Sequence, residues 1–594
     1  MIFSRDMQWQ FLEEELKAEV KEFDDKLKTS ATYLMEKGEV FTAQFLSFSE
    51  SGEMRVRFSC KRPVPRRGEY LYCMTLHKEL RDHRNWGDRT YGDLVKDKTN
   101  FTEAICNWLM PSNDPGFIIA GFIGIDVEFA EWIREAAMTV LVMGPNKPPF
   151  DYMAHLQSLT RCLDSSAVSS VLDADYVTST WKPTLLNNKK DIPEFLHAQL
   201  SLNDSLILQG PPGTGKTYQI AKLCANLLEK GHSILVTALT NRALMEIAKK
   251  PFLEPYLKDK KVFKTKITTD EEREVPRLQL EKVVTPKKGC LVLSTFFITS
   301  GVAAELSTDT PFDFVIVDEA SQALLQMIAA AKRLGKKSLF VGDVKQLPPV
   351  IQMKGSKVRE NGYVHLVEGL NSITEMSLYP TYQLTESRRL TERGTRYTGK
   401  FYDDSLVSMS EHKGAGSYGN FFLNSLGGPT LLKTDMELGE LAAPSAMDLA
   451  LAVVAGIHKS CKSREVAVLA CMKETVRGLQ KKLNSNLKKS NLIVDTVARV
   501  QGLTTDICVY VVPNTHYLRS LDSRLFNVAT SRARYQTIII VDKEILGYSK
   551  MDNHVKDYLE RLDEEFSFYL PYNNKLMLPF NNREQFKFDE IDRL

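Results

Sequence analysis

The stretch Gly210-Pro-Pro-Gly-Thr-Gly-Lys-Thr217 has the residue types and spacing to hold a nucleoside triphosphate. Backbone N–H groups of Gly210, Thr214 and the glycines, in a turn opened by Pro211 and Pro212, cradle phosphate oxygens, and Lys216 reaches the β and γ oxygens. The Thr217 hydroxyl is placed to ligate Mg²⁺. Gly213 and Gly215 keep a Cβ out of that approach. A Gly/Pro-rich surface turn is the bland alternative. Context opposes it: the apolar run Leu206-Ile-Leu208 feeds the turn, and a helix carrying Ile220, Leu223 and Leu227 on one face leaves it. The pattern says what is bound and not what the energy does.

Further along, Phe312-Asp-Phe-Val-Ile-Val-Asp-Glu319 runs apolar into two acids. Behind a phosphate loop, Asp318 would hold Mg²⁺ through water, and Glu319 would orient and deprotonate the attacking water. Taken alone, such a pair reads equally as helix N-terminal acids. Gly342-Asp-Val-Lys-Gln-Leu-Pro-Pro349 adds Gln346, able to sense a γ-phosphate; in isolation it reads first as a Pro-terminated turn. Two arginine groups, Leu384-Thr-Glu-Ser-Arg-Arg389 and Asn527-Val-Ala-Thr-Ser-Arg-Ala-Arg534, lie later in the chain. An arginine there can stabilise the charge of a phosphoryl transition state, an effect of about 10³–10⁵ in rate. Any one arginine alone is more often a surface ion pair.

The elements that must carry these groups are legible as alternations. From Leu206 onward short apolar strands alternate with helices, the pattern of a doubly wound, parallel α/β unit. Its strands are expected at 206–208, 233–238, 290–295, 312–317 and 337–342, with a charged surface excursion over 258–288. A second α/β unit has strands at Val466–Ala470, Ile507–Val512 and Thr537–Val541. Upstream, Trp9, Leu12, Leu16, Val20, Phe23 and Leu27 predict one long helix over 7–35. The period then changes to two: Met54, Val56 and Phe58 alternate with Arg55 and Arg57 after a Ser-Gly turn, a β-hairpin that belongs in a small antiparallel barrel. Its arginines and aromatics would suit a nucleic-acid track or simply the polar outside of a barrel. Residues 77–94 carry no assignable pattern, residues 126–162 read as helical and are expected to return antiparallel to the first helix, and the final stretch with Phe566, Phe568 and Tyr569 carries no motif.

Composition sets the outer bounds. A net charge of +2 over 594 residues leaves no global field for nucleic acid, so any basic surface must be local. Nine cysteines without a C-x-x-C pair argue against a zinc ribbon or a disulfide framework and fit a reducing compartment. No apolar run reaches about 18 residues. The expectation is an intracellular, cytoplasmic protein with no membrane segment.

GPPGTGKT, DEASQ, GDVKQLPP, ESRR, VDTVARVQGLTTD and NVATSRAR, in this order, resemble motifs I to VI of superfamily 1 helicases over roughly residues 200–545. Phe401-Tyr-Asp-Asp-Ser-Leu406 and Asn527-Val-Ala529 resemble in particular the 1B group that includes the nonsense-mediated-decay, immunoglobulin-mu-binding and coronavirus helicases. The resemblance implies an AAA-type P-loop fold: two RecA-like doubly wound parallel-sheet domains, preceded by a helical stalk and a small β-barrel. It implies ATP and Mg²⁺, with Thr217 and Asp318 on the metal, Glu319 on water, Gln346 as sensor, and Arg389 and Arg532 as arginine fingers. Thr240, Asn241, Thr295 and Thr496 would touch the phosphates of a single strand of DNA or RNA, a grip without base readout. Arg388 stands where the family usually has an aromatic residue, and its planar guanidinium can stack on the nucleotide base. Pro193 stands where an adenine-reading glutamine is usual, and motif V reads Gln501-Gly-Leu-Thr-Thr-Asp506 rather than carrying a glutamate.

The implied domains are a stalk and barrel over 1–165, RecA-like domains over 166–380 and 381–545, and an extension over 546–594. The implied function is an ATP-dependent helicase or translocase moving 5′ to 3′. The competing reading is a nucleotide-gated clamp that binds nucleic acid and recruits partners without unwinding. A GTPase switch is disfavoured by the lack of a guanine-reading N-K-x-D sequence in the expected region. Lys216→Ala should abolish nucleoside triphosphate hydrolysis, and wild-type turnover in that variant would remove the loop from the chemistry.

Overall fold

Ser4 begins the first helix, its hydroxyl accepting the Met7 amide at 3.1 Å, and in the computed structural model that helix runs Arg5–Lys28. The structure describes residues 4–572 except 115, 137–139, 176–181, 188–190, 413, 415–419, 462 and 487–490. The single helix expected over 7–35 is two. Thr29 is extended (φ −85°, ψ 143°), and a second helix, Ala31–Glu36, follows. The break has a tertiary cause: the Tyr91 amide donates to the Thr29 carbonyl and the Ala31 amide to the Arg89 carbonyl, each at 3.0 Å. The buried face is also rotated from the expected stripe. It consists of Gln8, Phe11, Leu12 and Glu15, while Trp9, Leu16, Val20, Phe23 and Leu27 are half-buried.

That face packs on the helix Phe150–Thr160, which runs antiparallel to it: Arg5 meets the carbonyls of Leu159 and Thr160, and Gln157 donates to Glu13 at 3.0 Å. Glu15 fixes the other side, one carboxylate oxygen accepting the Gln352 amide at 2.6 Å and the other the Met353 amide at 2.9 Å.

Six antiparallel strands close a barrel in the order Phe41–Phe48, Met54–Ser59, Phe117–Ile123, Lys98–Pro111, Tyr70–Leu76 and Val140–Gly144. The hairpin Phe41–Ser59 is as expected. The closing strand Val140–Gly144 lies inside the stretch read as helical; its apolar run is too short for periodicity to distinguish strand from helix. Arg57 is held by Gln44 at 3.1 Å and lies over the Phe117 ring, so it serves the barrel's outer face. In the unassigned stretch, Trp86 and Tyr91 are fully buried, bonded to the carbonyls of Leu80 (2.9 Å) and Pro145 (3.0 Å).

The first parallel sheet has nine strands in the order Gln279–Leu280, Val262–Lys264, Leu291–Thr295, Ile234–Ala238, Phe312–Val317, Gly335–Gly342, Ser205–Gln209, Thr381–Gln383 and Thr184–Leu185. The excursion over 258–288 is thus partly structural, supplying two short edge strands and the helix Thr269–Glu274. The second parallel sheet runs Leu492–Thr496, Val466–Ala470, Thr505–Val511, Ala533–Asp542, Gly428–Thr434 and Ser567–Leu570. Its last strand and the helix Asn553–Glu565 come from the stretch that carried no motif. The fold is therefore α/β with two RecA-like parallel sheets, a helical stalk and a small barrel. By compactness one unit comprises the chain to Gln209, Lys216–Val344 and Pro348–Gln383, and the other comprises Gly210–Gly215, Lys345–Leu347 and the chain from Leu384. Among the described residues no helix is long and apolar enough to cross a membrane.

Glu15 carries opposing terms. Burial pushes its carboxyl up, and the amides of Gln352 and Met353 hold the charged form. Glu15→Ala leaves the buried Met353 amide without its acceptor, so a loss of about 1–3 kcal/mol is expected in denaturant titrations. Glu15→Gln, which retains one acceptor and removes a buried charge, should lose less; equal stability of Glu15→Ala and wild type would show that the contact contributes nothing.

Candidate nucleotide site

The strand Ser205–Gln209, buried at every residue, ends at the phosphate loop, and the helix Lys216–Glu229 begins directly after it. Left-handed backbone at Gly213 (φ 76°) and Gly215 (φ 80°) turns the chain, and Thr214 donates through its amide and its hydroxyl to the Pro211 carbonyl. Lys216 and Thr217 therefore stand in the first turn of a helix with no acid there, where the helix dipole favours an anion. Gly213 is needed for a neighbour the sequence did not point to. A Cβ there would lie 2.5 Å from Arg389 Cβ and 2.6 Å from Ser387 Oγ. The Arg388 amide donates to the Gly213 carbonyl at 2.9 Å and the Ser387 hydroxyl to the Pro212 carbonyl at 3.0 Å.

In the first unit the polar candidates gather at the carboxyl edge of the sheet. Val317 lies beside Thr237, Thr295 beside Ala238, and Gly342 beside Gln209. Asp318 follows directly on its strand, its amide bonded to the Thr237 carbonyl at 2.9 Å, and its carboxylate accepts the Glu319 amide at 2.9 Å. Burial pushes the Asp318 carboxyl up to about 6, against the opposing pull of that amide and of the Lys216 charge. Glu319 sits in the left-handed region (φ 53°, ψ 36°), a strained conformation for a residue with a side chain. Gln209, absent from the sequence candidates, is buried beside Asp343: its amide nitrogen is 3.5 Å from that carboxylate, and its oxygen has no hydrogen-bond partner among the described residues.

The strand-end threonines differ in what they show. Thr240 is exposed and caps the helix Asn241–Ala248 by accepting the Ala243 amide at 3.2 Å. Asn241 and Thr295 are half-buried, and Asn241 accepts a hydrogen bond from Lys264 at 2.8 Å. Thr496, in the second unit, is buried, its amide held by Asp495 at 2.6 Å.

The arginines converge within the second unit. Arg389 donates to the Ser531 carbonyl at 3.2 Å, and Arg532 to the carbonyls of Val528 (2.8 Å) and Leu503 (3.4 Å). Burial first, then the like charges of Arg532 and Arg534, pull the Arg389 guanidinium down to about 9. Arg388 is exposed. Gln346 is buried in the segment Lys345–Leu347, which Asn527 holds by donating to the Lys345 carbonyl at 2.8 Å; the same nitrogen lies 2.8 Å from the Tyr402 hydroxyl. Arg534 and Asn527 were not singled out as site residues, although both stand inside the stretch that carries Arg532. Their signal was present in the sequence but indistinguishable from ordinary polar residues until their partners were known.

Residues 196–352 and 397–544 each match a family model described as an AAA domain. The chain is 25% identical over 418 residues to the DNA replication ATP-dependent helicase/nuclease DNA2 of Gallus gallus, covering 67% of this chain and 39% of that protein. It is 25% identical over 410 residues to the Schizosaccharomyces pombe protein of the same description, covering 60% and 28%. The chain thus spans less than half the length of these curated relatives. Among solved structures, the Arterivirus nonstructural protein 10 (helicase) is similar at 11% identity and a TM-score of 0.36, covering 83% of this chain and 79% of that one. The two matches show AAA domains on either side of residues 353–396.

The buried Asp318 gives a stability test with a definite sign. Its folded value lies above its ordinary 3.8, so the unfolded chain releases the proton first and stability falls as pH rises from about 4 through about 6. Asp318→Asn removes that cost. Without nucleotide or metal, the variant should melt higher than wild type at pH 7.5, by the equivalent of about 1–3 kcal/mol, with the gap closing towards pH 4. A lower melting point at pH 7.5 would contradict the burial argument.

Proposed function

We propose that this chain is an ATP-dependent helicase or translocase that moves 5′ to 3′ on single-stranded DNA or RNA, coupling hydrolysis to closure of its two RecA-like domains. We further place it with the 1B group, supported by Phe401–Leu406 and Asn527–Ala529. The observation that carries the reading is the arginine convergence: Arg389 is depressed by burial and by two neighbouring arginines, and no carboxylate pairs with it among the described residues. An anion is the missing partner such a group calls for, and the backbone of the phosphate loop lies against the same segment.

The residues fit ATP and Mg²⁺. A buried carboxylate held against its charge by desolvation, at Asp318, suits a divalent cation, and Thr217 offers a second oxygen. Held there, Mg²⁺ would supply charge neutralisation at the phosphates. The backbone of Gly210–Gly215 and the Lys216 ammonium bind the triphosphate, and Arg388 stacks on the base. Glu319 orients the attacking water and takes its proton, Gln346 registers the γ-phosphate, and Arg389 and Arg532 stabilise the transition-state charge. Thr240, Asn241, Thr295 and Thr496 grip the strand by its phosphates, without base readout.

The test is strand displacement from duplexes bearing a 5′ or a 3′ overhang, in DNA and RNA versions. Preference for the 5′ overhang is expected. Arg532→Ala should lower ATP turnover by about 10³ or more with little change in nucleotide affinity. Strong nucleic-acid-stimulated hydrolysis with no displacement of any duplex would replace the helicase reading with a clamp or a translocase that does not unwind.

A further inference from the structure

Lys264 is fully buried at the end of the strand Val262–Lys264, next to the sheet's edge strand, an unusual place for an ammonium. Its three donors meet three acceptors: Glu271 at 2.9 Å, Asn241 Oδ1 at 2.8 Å and the Lys266 carbonyl. Glu271 is buried too, and the same oxygen accepts the Thr268 amide at 3.0 Å. Burial acts to lower the Lys264 value and Glu271 acts to restore it, so the pair holds together as a unit. A buried ion pair is weak evidence for stability, since an apolar pair of similar volume often serves as well. Its specificity is the more informative property here.

An ammonium has no acceptor. The Asn241 amide must therefore present its oxygen to Lys264, which leaves the NH₂ group as the outward-facing end of a half-buried side chain. That polarity suits a phosphate oxygen, which only accepts. The segment that completes the pair also seats the barrel. Thr269 donates to the Gly52 carbonyl at 3.2 Å, Asp270 accepts the Gly124 amide at 3.0 Å, Arg273 donates to the Ser49 carbonyl at 2.8 Å, and Lys266 pairs with Asp126 at 2.9 Å. Gly52 (φ 81°) admits this contact because a Cβ there would lie 2.6 Å from the Thr269 carbonyl oxygen.

We propose that Lys264 and Glu271 are positioning residues that lock the Asn241 amide with its donor towards the nucleic-acid backbone, and that the segment Lys266–Arg273 makes this lock depend on the seating of the barrel. The inference rests on the reading of Asn241 as a strand contact given above.

The test measures binding of a fluorescent oligo(dT) and an oligo(rU) to the full chain. Asn241→Ala should weaken binding about 10-fold, as expected for one hydrogen bond to a charged group. The double variant Lys264→Met with Glu271→Leu removes both buried charges together and should weaken binding to the same extent, with ATP affinity and unstimulated hydrolysis unchanged. Adding Asn241→Ala to that double variant should cost nothing more, whereas adding Thr295→Ala should cost its full separate loss. Lys264→Gln, which keeps an N–H donor for Asn241, should bind within about twofold of wild type. Asn241→Asp retains the contact with Lys264 and turns an acceptor outward, so it should bind more weakly than Asn241→Ala without endangering the fold. Wild-type binding by the Lys264/Glu271 variant beside a weakened Asn241→Ala overturns the positioning role alone. Wild-type binding by both Asn241→Ala and Asn241→Asp overturns the strand contact itself, and the positioning role with it.

Discussion

Burying a charge without its natural partner is costly, and the functional regions of this protein are built around groups that bear that cost. Asp318 is held up to about 6 and Arg389 down to about 9, each pushed towards neutrality by desolvation. The two groups have opposite signs, and in the proposed function each is relieved by a ligand of the opposite sign, a cation at Asp318 and an anion at Arg389. Much of the surrounding structure serves to keep these groups in place. The sheet edge brings Asp318 onto the Thr237 carbonyl, and the Ser531 carbonyl steadies Arg389.

The buried pair Lys264–Glu271 is the instructive contrast. It is also buried, yet every donor of the ammonium is matched. A buried charge whose donors are all matched orders its neighbours. The same chemistry thus separates the two cases: Lys264 is hydrogen-bonded to Asn241, Glu271 and Lys266, whereas Asp318 and Arg389 are each shifted towards neutrality.

The phosphate loop shows how backbone geometry and side-chain chemistry depend on one another. Gly213 needs both its left-handed φ and its missing Cβ, the latter because Ser387 and Arg389 approach it directly. Outside the nucleotide site, Glu15 lets the stalk meet the backbone at Gln352 and Met353, and Gly52 lets the barrel meet the helix Thr269–Glu274.

By itself the sequence determined the local units of this protein and the residue types that stand at their ends. The glycine loop between a buried strand and an amphipathic helix, the acids after Val317, the arginines at 389 and 532 and the parallel character of both sheets all follow from patterns within a few residues of one another, because periodicity and turn chemistry are local properties. Tertiary structure decided what depends on distant partners. The helix over 7–35 breaks at Thr29 because Arg89 and Tyr91 take over its hydrogen bonds. Val140–Gly144 is a strand because the barrel needs it to close, and Val262–Lys264 and Gln279–Leu280 become strands by pairing at a sheet edge, since elements of two or three residues have no period to read. Lys264 reads as one more surface charge until Asn241 and Glu271 surround it. A buried charge is tolerable only where the fold supplies its partners, and no stretch of sequence contains that information alone.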